Sequence, residues 1–380
     1  MKDRIGQKFR QLFHNDPILI ASPGRVNLIG EHTDYNEGYV LPAAIDKQIV
    51  FALAANGTSR INLHAAAFDQ TLDFSTERLG PFGNWADYIL GVVAMFNQKG
   101  LQIGGFDCVL GGDIPIGAGL SSSAALECGI AFGLNQIFGL NLDRLSLARI
   151  GQQAEHQWVG VKCGIMDQFA SLLGQKDKVI RLDCRSLEFR YIPFDFPEYR
   201  ILLCNTLVDH SLATSEYNIR RQQCEEGVRI LGGVLPGIQT LRDVSCKALV
   251  THRSLLPSPL YERCSYVVEE NDRVVEGSLL LEQGNLVAFG KLMYASHQGL
   301  SQKYEVSCPE LDFLVQLASG NKEIVGARMM GGGFGGCVIH IIREDAISTY
   351  SQLVSAAYRE KFSKTPEIYV TSIENGTHQI

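Results

Sequence analysis

The sequence predicts an α+β or α/β protein, and three observations carry that expectation. Short apolar runs of strand length alternate with longer runs of helical period in both halves of the chain, a pattern that α/β architectures share. At 380 residues the chain exceeds what one hydrophobic core usually serves, so two domains are expected. No internal repeat or low-complexity tract interrupts the series.

The elements follow in order. Ile18–Ala21 is an apolar run of strand length, and Gln48–Ala54, Ile61–Ala65 and Phe106–Leu110 repeat the pattern. Helices are expected over Trp85–Lys99, Ser122–Phe138 and Arg144–Val159. Asn84 and Asp143 offer N-caps to the first and third, and Gly100 stops the first. Val179–Asp183 reads as a strand. Pro193–Pro197 then breaks the pattern and marks the expected division into domains 1–195 and 196–380. Beyond it come a strand at Arg200–Asn205 and a helix at Ser215–Leu231 with Ser215 as its N-cap. Long helical patterns run from about Tyr261 to Glu282 and from Leu286 to His297. Strands at Val325–Met330 and Cys337–Ile342 flank a glycine loop, followed by a helix at Ala346–Phe362 and a strand at Ile368–Val370. The tail ENGTHQI reads as loosely ordered or exposed.

Composition narrows the class. A hydrophobic content of 46% with 20% charged residues is that of a soluble globular protein. The net charge of −7, with Lys and Arg scattered, disfavours nucleic acid or anionic membrane as a partner. The ten cysteines contain no Cys-x-x-Cys, and several, such as Cys108, Cys204 and Cys337, lie within apolar runs. That usage fits a reduced, cytoplasmic protein without a structural zinc site. The opening MKDRIGQKFRQLF is amphipathic and charged, with no apolar signal core, and no run approaches the roughly 20 apolar residues needed to cross a bilayer. Oligomeric state is not legible; a monomer is the working expectation.

Five segments carry chemistry. GRVNLIGEHTDYNEGYVLP, Gly24 to Pro42, crowds Arg25, Asn27, Glu31, His32, Asp34, Tyr35 and Asn36 into one loop. Donors and acceptors so mixed suit a hydroxyl-rich ligand, and equally a polar loop that caps its own turns. In PIGAGLSSSAAL, Pro115 to Leu126, a glycine turn leads into three serines and a helix former. Unpaired amides at such a helix start attract phosphate, although a serine-capped helix has the same look. Gly117 and Gly119 let the main chain approach closely, and one of Ser121, Ser122 and Ser123 could ligate Mg²⁺. The Gly-Lys-Ser/Thr ending of a Walker A loop is absent. MMGGGFGGC, Met329 to Cys337, has five glycines between Gly331 and Gly336, more than a hairpin turn needs; unusual dihedrals or a bound group would account for them. In GIMDQFASLLG, Gly164 to Gly174, Asp167 lies among apolar neighbours and is either paired with a cation or functional. Glu155 in the helix before it is a solvated side chain or a metal ligand. In SEYNIRRQQCEE, Ser215 to Glu226, Tyr217 falls in the first turn, where its hydroxyl could reach a ligand; His210, Glu216, Arg220 and Arg221 are read as structural.

In this order the five segments resemble the galactokinase branch of the GHMP small-molecule kinase family, over nearly the whole chain. GRVNLIGEHTDY is similar to the galactokinase signature, GLSSSAAL to the family's phosphate-binding loop, and CGIMDQF and SEYNIRR to further segments of that branch. The resemblance implies an N-terminal ribosomal-S5-like βαβ domain and a C-terminal ferredoxin-like domain, with ATP and sugar between them. It implies ATP-dependent phosphorylation of the C1 hydroxyl of α-D-galactose, the entry to galactose catabolism by the Leloir pathway. By the same carry-over Glu31, His32, Thr33, Asp34, Gly164 and Tyr217 hold the sugar. Gly117, Ala118, Gly119, Leu120, Ser121, Ser122 and Ser123 cradle phosphate, and Trp85 either packs on adenine or belongs to the helix core. Ser123 and Glu155 resemble the Mg²⁺ ligands. Asp167 sits at the reacting hydroxyl, as base or as orienting group, with Arg25 beside it stabilising developing charge.

Rivals remain at this point. A related kinase would act on N-acetylgalactosamine or arabinose; a sugar sensor would keep the pocket without the chemistry, yet Arg25, Asp167 and Ser123 are all present. A dinucleotide-dependent dehydrogenase fits poorly, because GAGLSS lacks the third glycine of its fingerprint.

Overall fold

The apolar runs build three sheets in the computed structural model, which describes residues 1–115, 117–208 and 213–380. His210 lies outside the described residues. The first sheet has six strands in the order His378–Gln379, Ile18–Asn27, Pro42–Ala55, Phe106–Gly112, Arg60–Ala65 and Gln70–Ser75. Only Arg60–Ala65 and Phe106–Gly112 pair in parallel. The strand expected at Ile18–Ala21 continues to Asn27 and so carries Arg25 and Asn27 toward the loop. Its register shifts between Pro23 and Arg25, because Pro23 offers no amide to the ladder. The Arg25 amide instead donates to Leu120 O at 3.1 Å. Gly24 permits that approach, since a Cβ there would sit 2.6 Å from the same carbonyl.

The helix Lys2–Phe13 covers one face of this sheet, with Ile5 and Phe9 packed on Val50, Ala52 and Val109. Ala86–Gln98, Ser122–Ile137, Arg144–Ala154 and Met166–Leu173 pack together as helices whose apolar residues join the main core. Asp143 acts as the expected cap, its Oδ1 accepting from Ser146 N at 2.6 Å, whereas the first helix starts one residue later than expected, with Trp85 at the cap position and Asn84 Oδ1 accepting from Ala86 N at 2.9 Å just ahead of it. The helix expected to run to Val159 is α-helical only to Ala154. It continues as one π turn, Glu155–Val159, closed by Gly160 at φ 85°. Such turns re-aim side chains, here Glu155. Tyr39–Val40, Lys178–Asp183 and Phe189–Pro193 form the small third sheet.

The remaining sheet is antiparallel, in the order Ile324–Met329, Cys337–Arg343, Tyr199–Asn205 and Glu367–Thr371. Numbered along the chain, its strands lie 2-3-1-4. Helices cross between the first and second strands and, as Ile347–Phe362, between the third and fourth. This is the ferredoxin-like βαββαβ arrangement. The main core runs on from Ile20 and Phe51 in the first half to Phe289, Met293 and Ile339 in the second. A separate core around Tyr266, Leu311 and Tyr358 lies within the second half.

Two expectations are corrected. The tail is ordered: His378 and Gln379 pair with Ala21 and Ile20, and the buried Thr377 hydroxyl lies 2.9 Å from Ser22 Oγ. The polar tail covers a strand edge and gives the buried Ser22 hydroxyl a closer partner than Ser171 Oγ at 3.4 Å. The helix expected to start at Ser215 spans Ala213–Gly232, which places Ser215 inside it and Tyr217 past its first turn. All ten cysteines are free, and no described helix is long and apolar enough to cross a membrane.

Candidate active site

A cavity of about 200 Å³ has walls from both halves of the chain. Arg25, Glu31, His32, Asp34, Glu155, Gly164, Asp167 and Tyr217, singled out in four separate segments, all line it, together with Gly331 and Gly332 of the glycine loop. Cys163, Met166 and Val161 complete the wall.

The acidic loop holds its side chains in unequal states. Glu31 is buried and fixed: Oε1 accepts from Arg328 Nη2 at 2.8 Å and from Gly331 N at 2.9 Å. His32 takes a left-handed φ of 61°, a conformation a residue with a Cβ adopts only where its surroundings enforce it. Its Nδ1 lies 2.8 Å from Tyr35 Oη, and Nε2 has no partner among the described residues. Burial, with Arg220 nearby, pushes the imidazole down to about 3, so the ring is neutral. Burial, with the Asp167 charge adding, pushes the Asp34 carboxyl up to about 7. Gly164 packs directly on Asp34; a Cβ there would fall 2.0 Å from Oδ2. The Tyr217 ring stands 5.3 Å from the His32 ring and 5.1 Å from that of Tyr35, making an aromatic wall.

Asp167 joins this wall to the glycine–serine loop. Arg25 grips its carboxylate with two bonds, Nε to Oδ1 and Nη2 to Oδ2, each 2.8 Å, and donates from Nη1 to Gly119 O at 2.7 Å. Burial alone would lower the Arg25 pKa, but Asp167 and Glu31 together leave it raised. Ser121 Oγ also donates to Asp167 Oδ2. Ser121 sits at the helix boundary with φ 58°, and its side chain makes no cap, which removes the serine-cap reading of this segment. The first amides of Ser122–Ile137 are therefore left without a side-chain acceptor from Ser121. Gly117 and Gly119 both have φ near 75°. Ala118 and Leu120 are buried apolar anchors that pin the loop to the core, so they offer it backbone groups only. Ser122 and Ser123 occupy the helix's first turn. The glycine loop explains itself by dihedral: Gly331, Gly333, Gly335 and Gly336 all have positive φ, and a Cβ on Gly333 would meet Val306 O at 2.1 Å.

Behind the loop lies a buried acidic cluster. Gln168 Nε2 donates to Glu155 Oε2 at 2.8 Å and to Glu127 Oε2 at 2.9 Å. Burial, with Asp167 adding, pushes Glu155 up to about 7, and burial beside Glu155 raises Glu127 well above the usual carboxylate range. Cys163 Sγ also donates to Glu155 Oε2 at 3.3 Å, and Ser123 stands in the first turn of the helix Ser122–Ile137. The Ser123 hydroxyl at a helix start left without a side-chain cap and the Glu155 carboxylate are oxygen donors that fit Mg²⁺. That ion takes oxygen ligands and keeps the rest of its shell for phosphate and water. Among the described residues no cluster of three or more His, Cys, Asp or Glu forms a dedicated metal cage.

Two expected site residues stand apart. Thr33 is corrected: it is buried, and its Oγ1 lies 2.8 Å from Gly30 O and 2.6 Å from Tyr39 O, closing the loop on itself rather than facing the cavity. Trp85 lies outside the cavity, in a shallow hollow with Phe68, Asp69 and Gln70, its Nε1 donating to Gln70 Oε1 at 2.9 Å. Sequence reasoning missed Arg328, whose fully buried guanidinium donates to Asn27 O, Leu28 O and Met329 O besides Glu31. It also missed Tyr304, 2.7 Å from Tyr35 Oη. Arg220 donates to Tyr304 O and Glu305 O, which ties the backbone behind that ring.

Three family models match: the galactokinase galactose-binding signature over residues 7–55, the GHMP kinases N terminal domain over 87–175, and the GHMP kinases C terminal over 279–360. The chain is 40% identical to a galactokinase of Thermotoga neapolitana, over 91% of this chain and 95% of that protein. It is 39% identical to a galactokinase of Roseiflexus sp., over 99% and 96%. The crystal structure of Lactococcus lactis galactokinase complexed with galactose superposes with a TM-score of 0.96 at 34% identity, covering 100% of this chain and 99% of that one. Methanococcus jannaschii mevalonate kinase shares the fold, with a TM-score of 0.66 at 20% identity over 95% and 99%. The glycine–serine loop, facing a polar cavity across an Arg–carboxylate pair, defines a small-molecule kinase of the GHMP architecture. Within that class, the chain belongs to the galactokinase family.

Proposed function

We propose that the protein transfers the terminal phosphoryl group of ATP to the C1 hydroxyl of α-D-galactose. The observation that carries this reading is the position of Asp167, held by Arg25 and Ser121 where the glycine–serine loop meets the cavity. An acceptor hydroxyl in the cavity would lie beside Asp167, which takes its proton or orients it, while Arg25 stabilises charge developing on the transferred group. Glu31, Asp34 and the free Nε2 of His32 supply acceptors and donors for the other sugar hydroxyls, with Tyr217 against the ring. The amides of Gly117 to Ser123 would hold the phosphates. Ser123 and Glu155 would hold Mg²⁺, which supplies neutralisation of phosphate charge. Trp85 is the proposed neighbour of the adenine. The working unit is proposed to be a cytoplasmic monomer of two domains, 1–195 and 196–380.

The test is a coupled assay for ADP release with galactose and, separately, its 2-deoxy, 4-epimeric and N-acetyl relatives. Turnover with galactose and poor turnover with the 4-epimer is the expected result. ADP release with none of the four would overturn the reading.

A further inference from the structure

The helix Leu260–Glu282 contributes nothing to the cavity wall, yet one of its faces grips the backbone of the acidic loop at both ends. Glu270 is fully buried. Its Oε1 accepts from Gly30 N at 2.8 Å and from Ser296 Oγ at 2.6 Å, and its Oε2 accepts from Arg273 Nε at 2.6 Å. Tyr266, one turn earlier, donates its hydroxyl to Glu31 O at 2.9 Å. Asn271 Oδ1 accepts from Tyr39 N at 2.9 Å, at the far end of the loop. Tyr266 and Glu270, four apart, share one helix face, and Asn271 flanks it, so a single element holds the Gly30 amide, Glu31's own carbonyl and the loop's exit at Tyr39. The backbone is close-fitted there. Gly30 has φ 98°, and a Cβ on it would meet Val274 Cγ2 and Tyr39 O at 2.9 Å.

We propose that Glu270 and Tyr266 are positioning residues for sugar binding: they set the orientation of the Gly30–Asp34 segment from across the molecule, so that Glu31, His32 and Asp34 face the cavity. This rests on the sugar assignment of the cavity given above. A buried carboxylate saturated by a backbone amide, a hydroxyl and an arginine has no group left for chemistry, and its bond to Gly30 runs from the second half of the chain to the first. A displacement near 1 Å of binding groups is enough to cost up to about 10²-fold in rate.

The test compares Glu270→Ala, Glu270→Gln and Tyr266→Phe with the wild type by steady-state kinetics. It adds hydrogen exchange of the peptide covering the loop. Tyr266→Phe removes one oxygen and keeps the ring, so it remains informative if Glu270→Ala folds poorly. The expected result is a KM for galactose raised roughly tenfold or more in Glu270→Ala and Tyr266→Phe. The KM for ATP stays within about twofold, and loop exchange is faster. Glu270→Gln, which keeps an acceptor for Gly30, should recover most of the galactose KM. A purely structural role would lower the active fraction and leave both KM values alone. That outcome, or unchanged loop exchange in Tyr266→Phe, overturns the proposal. If the wild type turned over no galactose, the substrate assignment would fall, and the exchange data would still decide whether the helix holds the loop.

Discussion

Replacing Asp167 by Asn tests the centre of the site with the least change of shape. Asn keeps the volume and one carbonyl oxygen, which can still accept from Arg25 Nε or from Ser121. It loses the negative charge, one of two 2.8 Å charge-assisted bonds to Arg25, and the ability to take a proton. General base assistance is worth about 10²–10⁴ in rate, or about 3–5 kcal/mol of barrier. The lost charged bond adds roughly 1.5–3 kcal/mol, part of which falls on stability rather than rate. The expected kcat is therefore down by at least about 10²-fold, with KM for ATP little changed. ADP release at saturating galactose and ATP measures it, and calorimetry of galactose binding shows whether the pocket survives. Because Arg25 and Asp167 act as one unit, an Arg25→Lys, Asp167→Asn double variant should lose little more than Asp167→Asn alone. A folded Asp167→Asn enzyme with kcat within about tenfold of wild type would refute both the base and the orienting role.

Other consequences follow from the same geometry. Glu31→Ala and Asp34→Ala should each weaken galactose binding in calorimetry; unchanged affinity would remove the residue from the pocket. The Asp34 carboxyl, raised from 3.8 to about 7, keeps a proton in the folded state that the unfolded chain releases. Its contribution to stability is therefore lost as pH rises from 3.8 through about 7, and Asp34→Asn should flatten that part of a melting-temperature profile. An identical slope in the two proteins would count against the shift. Gly164→Ala places a Cβ 2.0 Å from Asp34 Oδ2, so galactose KM should rise sharply while circular dichroism stays native; a normal KM would mean that the two segments part freely. Arg328→Met strands the buried Glu31 carboxylate and three carbonyls, a loss of about 3–5 kcal/mol. Its melting temperature should fall well below that of the exposed control Arg229→Met, and parity between the two would refute the strut.

What could be read in the sequence was whatever is encoded locally. Asp143 caps, and Asn84 bonds the Ala86 amide beside its helix start, because a side-chain oxygen needs only amides two or three residues away. The glycines of the Met329–Cys337 loop are legible because positive φ is a property of the residue itself. The polar crowd from Arg25 to Asn36 marks itself by composition. Arg328 and Glu270 carry no such mark. Each is one charge in an ordinary strand or helix pattern, and the loop groups they hold lie far off along the chain, from Asn27 to Glu31. Thr377 reads as tail because its partner, Ser22, belongs to the opposite end of the chain. Thr33 failed in the other direction. It stands between true cavity residues, but the turn from Gly30 to Tyr39 leaves two carbonyls in need of a donor, and its hydroxyl is the one within reach. A buried polar group must find a partner, and only the topology decides which. Neighbours in sequence can therefore have opposite duties, while the residues that orient a site from behind are invisible until the chain has folded over it.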